Sequence, residues 1–190
     1  ARELAVGDPR DPAIQVGPVI DAEAKGRLEA HLRRMQGEAR MHFAGTAPAQ
    51  GLFVAPHVIE LASAADLDAE VFGPVLHVVR YRADALDEVV AAIDRTGYGL
   101  TLGIHSRIDE TVARIVARLP VGNVYVNRNM IGAVVGVQPF GGHGLSGTGP
   151  KAGGPHYLAR FATEQTVTVN TAAAGGNAGL LVQDEGSADG

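Results

Sequence analysis

Between residues 75 and 127 the chain alternates two kinds of apolar spacing, and this narrows the fold more than any other feature. "VLHVVRY" (75–81) is rich in β-branched residues on both faces, which predicts a strand buried on both sides. Leu86, Val89, Val90 and Ile93 then recur at i, i+3, i+4, i+7 behind a possible cap at Asp84, and Gly97 closes that helical stripe. "LTLGIH" (100–105) returns to strand character. Ser106 and Asp109 resemble a capping box before a second stripe, Val112, Ile115, Val116 and Leu119, which Pro120 stops. "GNVYVN" (122–127) is the third strand. Strand, helix, strand, helix, strand at this spacing predicts βαβ units, so the expected class is α/β: a parallel sheet with right-handed crossovers and helices on its faces.

The flanks extend this pattern. Asp21 is placed to cap a helix carrying Ala24, Leu28, Leu32 and Met35, with Gly37 ending it. Short β-like runs cover residues 40–44 and 52–60, and Pro56 in the second predicts an edge strand or a bulge. "EQTVTVNT" (164–171) alternates Val with Thr, which suits a strand half exposed to solvent or to another chain. Beyond it, "VQDEGSADG" is polar, acidic and expected to be loose.

Several function classes are excluded. A net charge of -5 with scattered basic residues leaves no footprint for nucleic acid, and no apolar run approaches the length of a membrane span. The opening "ARELAVGDPRDPAIQ" carries charges where a signal peptide needs an apolar stretch, which predicts a cytoplasmic chain. There are no cysteines, so disulfides, thiolate metal sites and a cysteine nucleophile are absent from these 190 residues. The seven histidines avoid the spacings that put two imidazoles on one metal, so no metal is expected.

Residues 134–156, "VVGVQPFGGHGLSGTGPKAGGPH", pack eight glycines and three prolines into one loop. Gly142, Gly144 and Gly147 satisfy G-x-G-x-x-G, but a dinucleotide fingerprint must open a helix, and Pro150 and Pro155 stand where that helix would run. "GLSGTGPK" also fails as a phosphate loop. Pro150 separates glycine from Lys151, and Ala152 replaces the hydroxyl that would hold magnesium. Thr148 in turn denies Ser146 a nucleophile elbow.

The company of that loop is more specific. "EVFGPVLHVVRY", "YGLTLGIHSR", "GNVYVNRN", "QPFGGHGLSGTG" and the opening "VGDPRDPAIQVGPVI" resemble, in order and spacing, the C-terminal half of the aldehyde dehydrogenase superfamily. "NMIGAVVGVQPFGG", "SGTGPKAGGPHYLARF" and "TVTVNTAAAGGNAGLL" narrow the resemblance to L-glutamate γ-semialdehyde dehydrogenases, in particular those at the dehydrogenase end of bifunctional proline utilization A proteins.

The resemblance implies residues 1–162 as part of the catalytic domain, 163–173 as an oligomerisation-type strand and 174–190 as a C-terminal tail. It implies NAD as cofactor, with FAD only in a missing proline dehydrogenase domain. Glutamate semialdehyde would be the substrate, and the complete enzyme a homo-oligomer. The family's nucleophilic cysteine and general-base glutamate would both precede the segment matching Ala1, so the isolated chain is expected to be inactive and the missing N-terminal part to be its partner. Glu70 matches the carboxylate that accepts the hydroxyls of the nicotinamide ribose, and Phe72 the residue packed near the nicotinamide ring. Gly132 and Ala133 match the turn that anchors the substrate carboxylate through backbone N–H groups, and Phe140 an aromatic on the substrate's aliphatic chain. The competing expectation is a non-catalytic module that keeps this fold for oligomerisation or binding.

Overall fold

The computed structural model describes residues 1–67, 69–131, 134 and 136–170. Helix α1 (Ala22–Glu38) begins as its sequence predicts, with the Asp21 carboxylate accepting the Ala24 N–H at 2.7 Å, and it buries Ala24, Leu28, Leu32 and Met35. It runs through Gly37 and ends at Ala39, whose N–H still reaches the Met35 carbonyl. The buried stripe packs on a three-stranded sheet ordered β1 (Arg40–Ala44), β2 (His57–Leu61), β3 (Val75–Val79). Leu28, Leu32 and Met35 meet Val54, Ile59 and Leu61 there, and Met35 and Ile59 are the most completely enclosed side chains. Each such side chain contributes roughly 1.5–3 kcal/mol by leaving water.

β2 is the central strand, antiparallel to β1 and parallel to β3. Pro56 therefore marks neither an edge nor a bulge. It stands just before β2, where it needs no N–H, and its carbonyl accepts from Gly45; the irregularity lies in β1, between Met41 and Phe43. β3 is not buried on both faces. Val75, His77 and Val79 share the face that α1 covers, while Leu76 is 59% exposed on the other, where no described element covers it. On that open face Glu60 accepts from Arg80 at 2.7 Å and from His42. The hydrogen bonds from Arg80 first and then from His42 hold its carboxyl down at about 2, so it stays ionised far into acid.

The second half contains α2 (Leu86–Asp94), β4 (Tyr98–Gly99), β5 (Thr101–Ile104), α3 (Asp109–Arg118), β6 (Asn123–Val126) and β7 (His143–Gly144). β5 and β6 pair in parallel around α3, a βαβ unit as the apolar spacing predicts. β3 and β5 lie in separate sheets, however. Each has a partner on one side only among the described residues, so the α/β class and the parallel pairing hold while a single continuous sheet does not form.

The predicted caps are replaced by other devices. Asp84 binds Arg82 instead of capping α2, whose N-terminus has no side-chain cap. Ser106 accepts the Ile108 N–H and exchanges two hydrogen bonds with Asn127, at 3.0 and 2.9 Å, so it ties the end of β6 to the β5–α3 turn. Residues 164–170 are exposed and join no described strand ladder, and the rest of the expected C-terminal strand and tail, 171–190, lies outside the described residues. No helix among the described residues is long and apolar enough to cross a membrane.

Candidate functional site

The segment 69–73 runs between α1 and the second half of the chain and borders a cleft on each side. Towards α1 the cleft is about 340 Å³, lined by Arg27, Leu28, His31, Glu70, Val71 and Phe72 among others. On the other side a larger cleft of about 680 Å³ places Glu70 and Val71 opposite Ile93, Leu102, Leu145 and Ser146. Gly73 allows this approach to α1: a Cβ there would stand 2.6 Å from both methyl groups of the buried Leu28.

Glu70 and Phe72 are thus brought to one cleft. The Glu70 carboxylate is exposed and, among the described residues, takes part in no hydrogen bond or ion pair, so both oxygens are available as acceptors. Phe72 is 85% exposed, so it is no part of the core. An unused carboxylate beside an unstacked aromatic, at the mouth of a cleft in the range of small-molecule sites, fits a vicinal diol joined to a flat ring. Arg27 of the facing wall is paired with Glu23 at 2.5 Å. Nothing in the sequence distinguishes Arg27 or His31 as lining residues, beyond their i, i+4 spacing beside the buried Leu28.

Phe140 does not line either of these clefts. It is half-buried, and its backbone exchanges hydrogen bonds with Ala152 at 3.0 and 2.9 Å. Gly132 and Ala133 lie outside the described residues, and the Ile131 just before them is 84% exposed.

The glycine loop forms no helix after Gly147, in keeping with the rejected dinucleotide reading. It is held from beneath. The buried Asn123 donates to the Pro139 carbonyl at 3.0 Å and accepts the Gly141 N–H at 3.3 Å, while Ser146 Oγ accepts from Gly99 at 3.0 Å. Lys151 donates to the Gly122 carbonyl, so its ammonium ties the loop to the start of β6. Among the described residues no group of three or more metal-ligating side chains occurs.

Residues 1–167 match the family model described as the aldehyde dehydrogenase family. The chain is 57% identical over 158 residues to the bifunctional protein PutA of Rhizobium meliloti, covering 82% of this chain and 13% of that protein. It is 37% identical over 176 residues to 1-pyrroline-5-carboxylate dehydrogenase 1 of Halalkalibacterium halodurans, covering 88% of this chain and 33% of that one. Among solved structures, proline utilization A of Bradyrhizobium japonicum superposes with a TM-score of 0.86 at 72% identity, over 90% of this chain and 18% of its own. A 1-pyrroline-5-carboxylate dehydrogenase from Thermus with bound NAD superposes with a TM-score of 0.74 at 37% identity, over 83% of this chain and 31% of its own. The chain therefore spans about an eighth to a third of the length of these curated relatives.

Proposed function

The chain belongs to the aldehyde dehydrogenase family, and from that membership we propose that it is the C-terminal portion of an NAD-dependent L-glutamate γ-semialdehyde dehydrogenase of proline catabolism. The observation that carries the proposal is the 57% identity to a PutA protein across most of the chain, alongside relatives named for 1-pyrroline-5-carboxylate. The two substrate names are chemically one: water opens the cyclic imine to the γ-semialdehyde. NAD use is supported by the Thermus neighbour with NAD bound and by the fit of the Glu70–Phe72 cleft.

NAD, when bound, supplies the acceptor for the aldehyde hydride. Glu70 would hold the ribose hydroxyls through its two oxygens, and Phe72 would shield the nicotinamide ring from water. Gly132 and Ala133 would present N–H groups to the substrate carboxylate, and Phe140 would bear on the aliphatic chain. The nucleophilic thiolate would come from outside these 190 residues, because they contain no cysteine. Residues 163–173 would pair between subunits of a homo-oligomer, a role supported by the exposure of Val167 and Val169.

Glu70→Ala in the complete enzyme should remove a charge-assisted bond of roughly 1.5–3 kcal/mol, which is about a ten- to hundredfold loss in kcat/KM for NAD with aldehyde binding unchanged. Unaltered NAD kinetics would refute the ribose assignment. Ala133→Phe should raise KM for glutamate semialdehyde well above any change for a small aliphatic aldehyde, since it crowds only the carboxylate anchor. An equal loss on both substrates would show that no anchor lies there.

A further inference from the structure

Phe140 stands in a loop with eight glycines between residues 134 and 156, yet both peptide groups that flank it are bonded at both ends. The Phe140 N–H donates to the Ala152 carbonyl at 3.0 Å, and the Phe140 carbonyl accepts the Ala152 N–H at 2.9 Å. The outer ends of the same two peptides go to one side chain. The Pro139 carbonyl accepts from Asn123 Nδ2 at 3.0 Å, and the Gly141 N–H donates to Asn123 Oδ1 at 3.3 Å. Neither peptide can rotate without breaking a hydrogen bond on each side, so the glycine-rich loop is held rigidly at this one aromatic.

Asn123 suits this task by its chemistry and by its seat. A primary amide presents a donor and an acceptor side by side, as the edge of a neighbouring strand would. Asn123 opens β6, where its own N–H donates to the Leu100 carbonyl at 3.0 Å and its Cα stands opposite Thr101 of β5. It is buried, so water does not compete for its amide, and its position is fixed by the βαβ unit. Lys151, next to Ala152, donates to the carbonyl of Gly122, next to Asn123, and so closes the clamp. An aromatic side chain has only two rotors, and once its backbone is held the ring direction reduces to a few rotamers.

We propose that Asn123 is a positioning residue: it aims Phe140 at the aliphatic chain of the substrate, an inference that rests on the proposed contact between Phe140 and glutamate semialdehyde. Asn123 touches neither substrate nor cofactor in this role and acts only through the backbone of residues 139–141. It thereby helps to set specificity for the chain-bearing aldehyde over shorter ones.

Asn123→Ser in the complete enzyme keeps a hydroxyl but cannot span from Pro139 to Gly141. The ratio of KM for glutamate semialdehyde to KM for acetaldehyde, which has no chain for Phe140 to bear on, should rise about tenfold. Phe140→Ala should raise the same ratio, and adding Asn123→Ser to Phe140→Ala should raise it no further, because the amide acts through the ring. Equal losses on both aldehydes with Asn123→Ser, or full additivity in the double variant, would overturn the positioning role and leave the contact between Phe140 and substrate standing. A ratio unmoved by Phe140→Ala would remove that contact, and the inference with it. Hydrogen exchange of the unsubstituted enzyme tests the clamp without any variant, so it decides even if Asn123→Ser fails to fold. The amides of Phe140, Gly141 and Ala152 should exchange far more slowly than those of the exposed Thr148 and Gly149, and comparable rates would overturn the clamp.

Discussion

Gly122→Ala should destabilise the chain by about 3 kcal/mol, the upper part of the range for forced overpacking. A Cβ at residue 122 would lie 1.8 Å from the Gly141 carbonyl oxygen and 2.8 Å from its carbon, and both are backbone atoms that cannot rotate aside. Relief requires the 138–154 loop to move off the start of β6. That motion breaks the Asn123 bonds to Pro139 and Gly141 and draws Lys151 from the Gly122 carbonyl, leaving a buried amide with partners missing. Gly26→Ala is the matched control. Gly26 lies within α1 with nothing within 4 Å of a Cβ, so alanine there should stabilise by about 0.5–1 kcal/mol through helix propensity. Urea unfolding of the three proteins checks both signs; a Gly122→Ala midpoint equal to that of the parent would mean that the loop is not seated on β6 as described.

Periodicity and cap chemistry are local, and they locate α1, α2, α3, β5 and β6 closely because each burial stripe is written in neighbouring residues. The Asp21 cap is legible for the same reason. Ser106–Asn127 is not, since a turn residue and the end of a strand 21 positions away meet only once β5 and β6 have paired. Pro56 suggests an edge from composition alone, yet β2 is central, because the proline falls one residue outside the ladder.

The candidate site divides in the same way. Glu70 and Phe72 are identified through a family resemblance, and the fold adds that they share a cleft with α1 and that Phe72 faces outward. Arg27 and His31 have no sequence signal, because the wall they form exists only through the Gly73–Leu28 approach. The glycine loop is legible as irregular and as neither of the two phosphate-binding motifs. That its close glycine contacts are made with the protein's own backbone, at Gly122 and Gly97, is a tertiary fact.

The second large effect concerns the chain by itself. These 190 residues contain no cysteine, so no thiolate of their own is available to attack an aldehyde. The open edges of β3 and β5, the apolar wall of the 680 Å³ cleft, and the exposed Phe72, Leu145, Leu158 and Phe161 are surfaces that the proposed missing part would cover. Left uncovered, they should make the isolated chain self-associate, which sedimentation at rising concentration would reveal.

The most direct test of the account is aldehyde-dependent NADH production, measured on the purified 190-residue chain alone and after co-expression with a preceding segment carrying the nucleophilic cysteine and the general-base glutamate. With glutamate semialdehyde and NAD, the chain alone should give no rate above background, and the co-expressed pair should turn over. NADH formed by the chain alone, in a preparation shown to be free of contaminating dehydrogenase, would mean that these residues carry their own route for hydride removal and would contradict the assignment of the chemistry to a missing part.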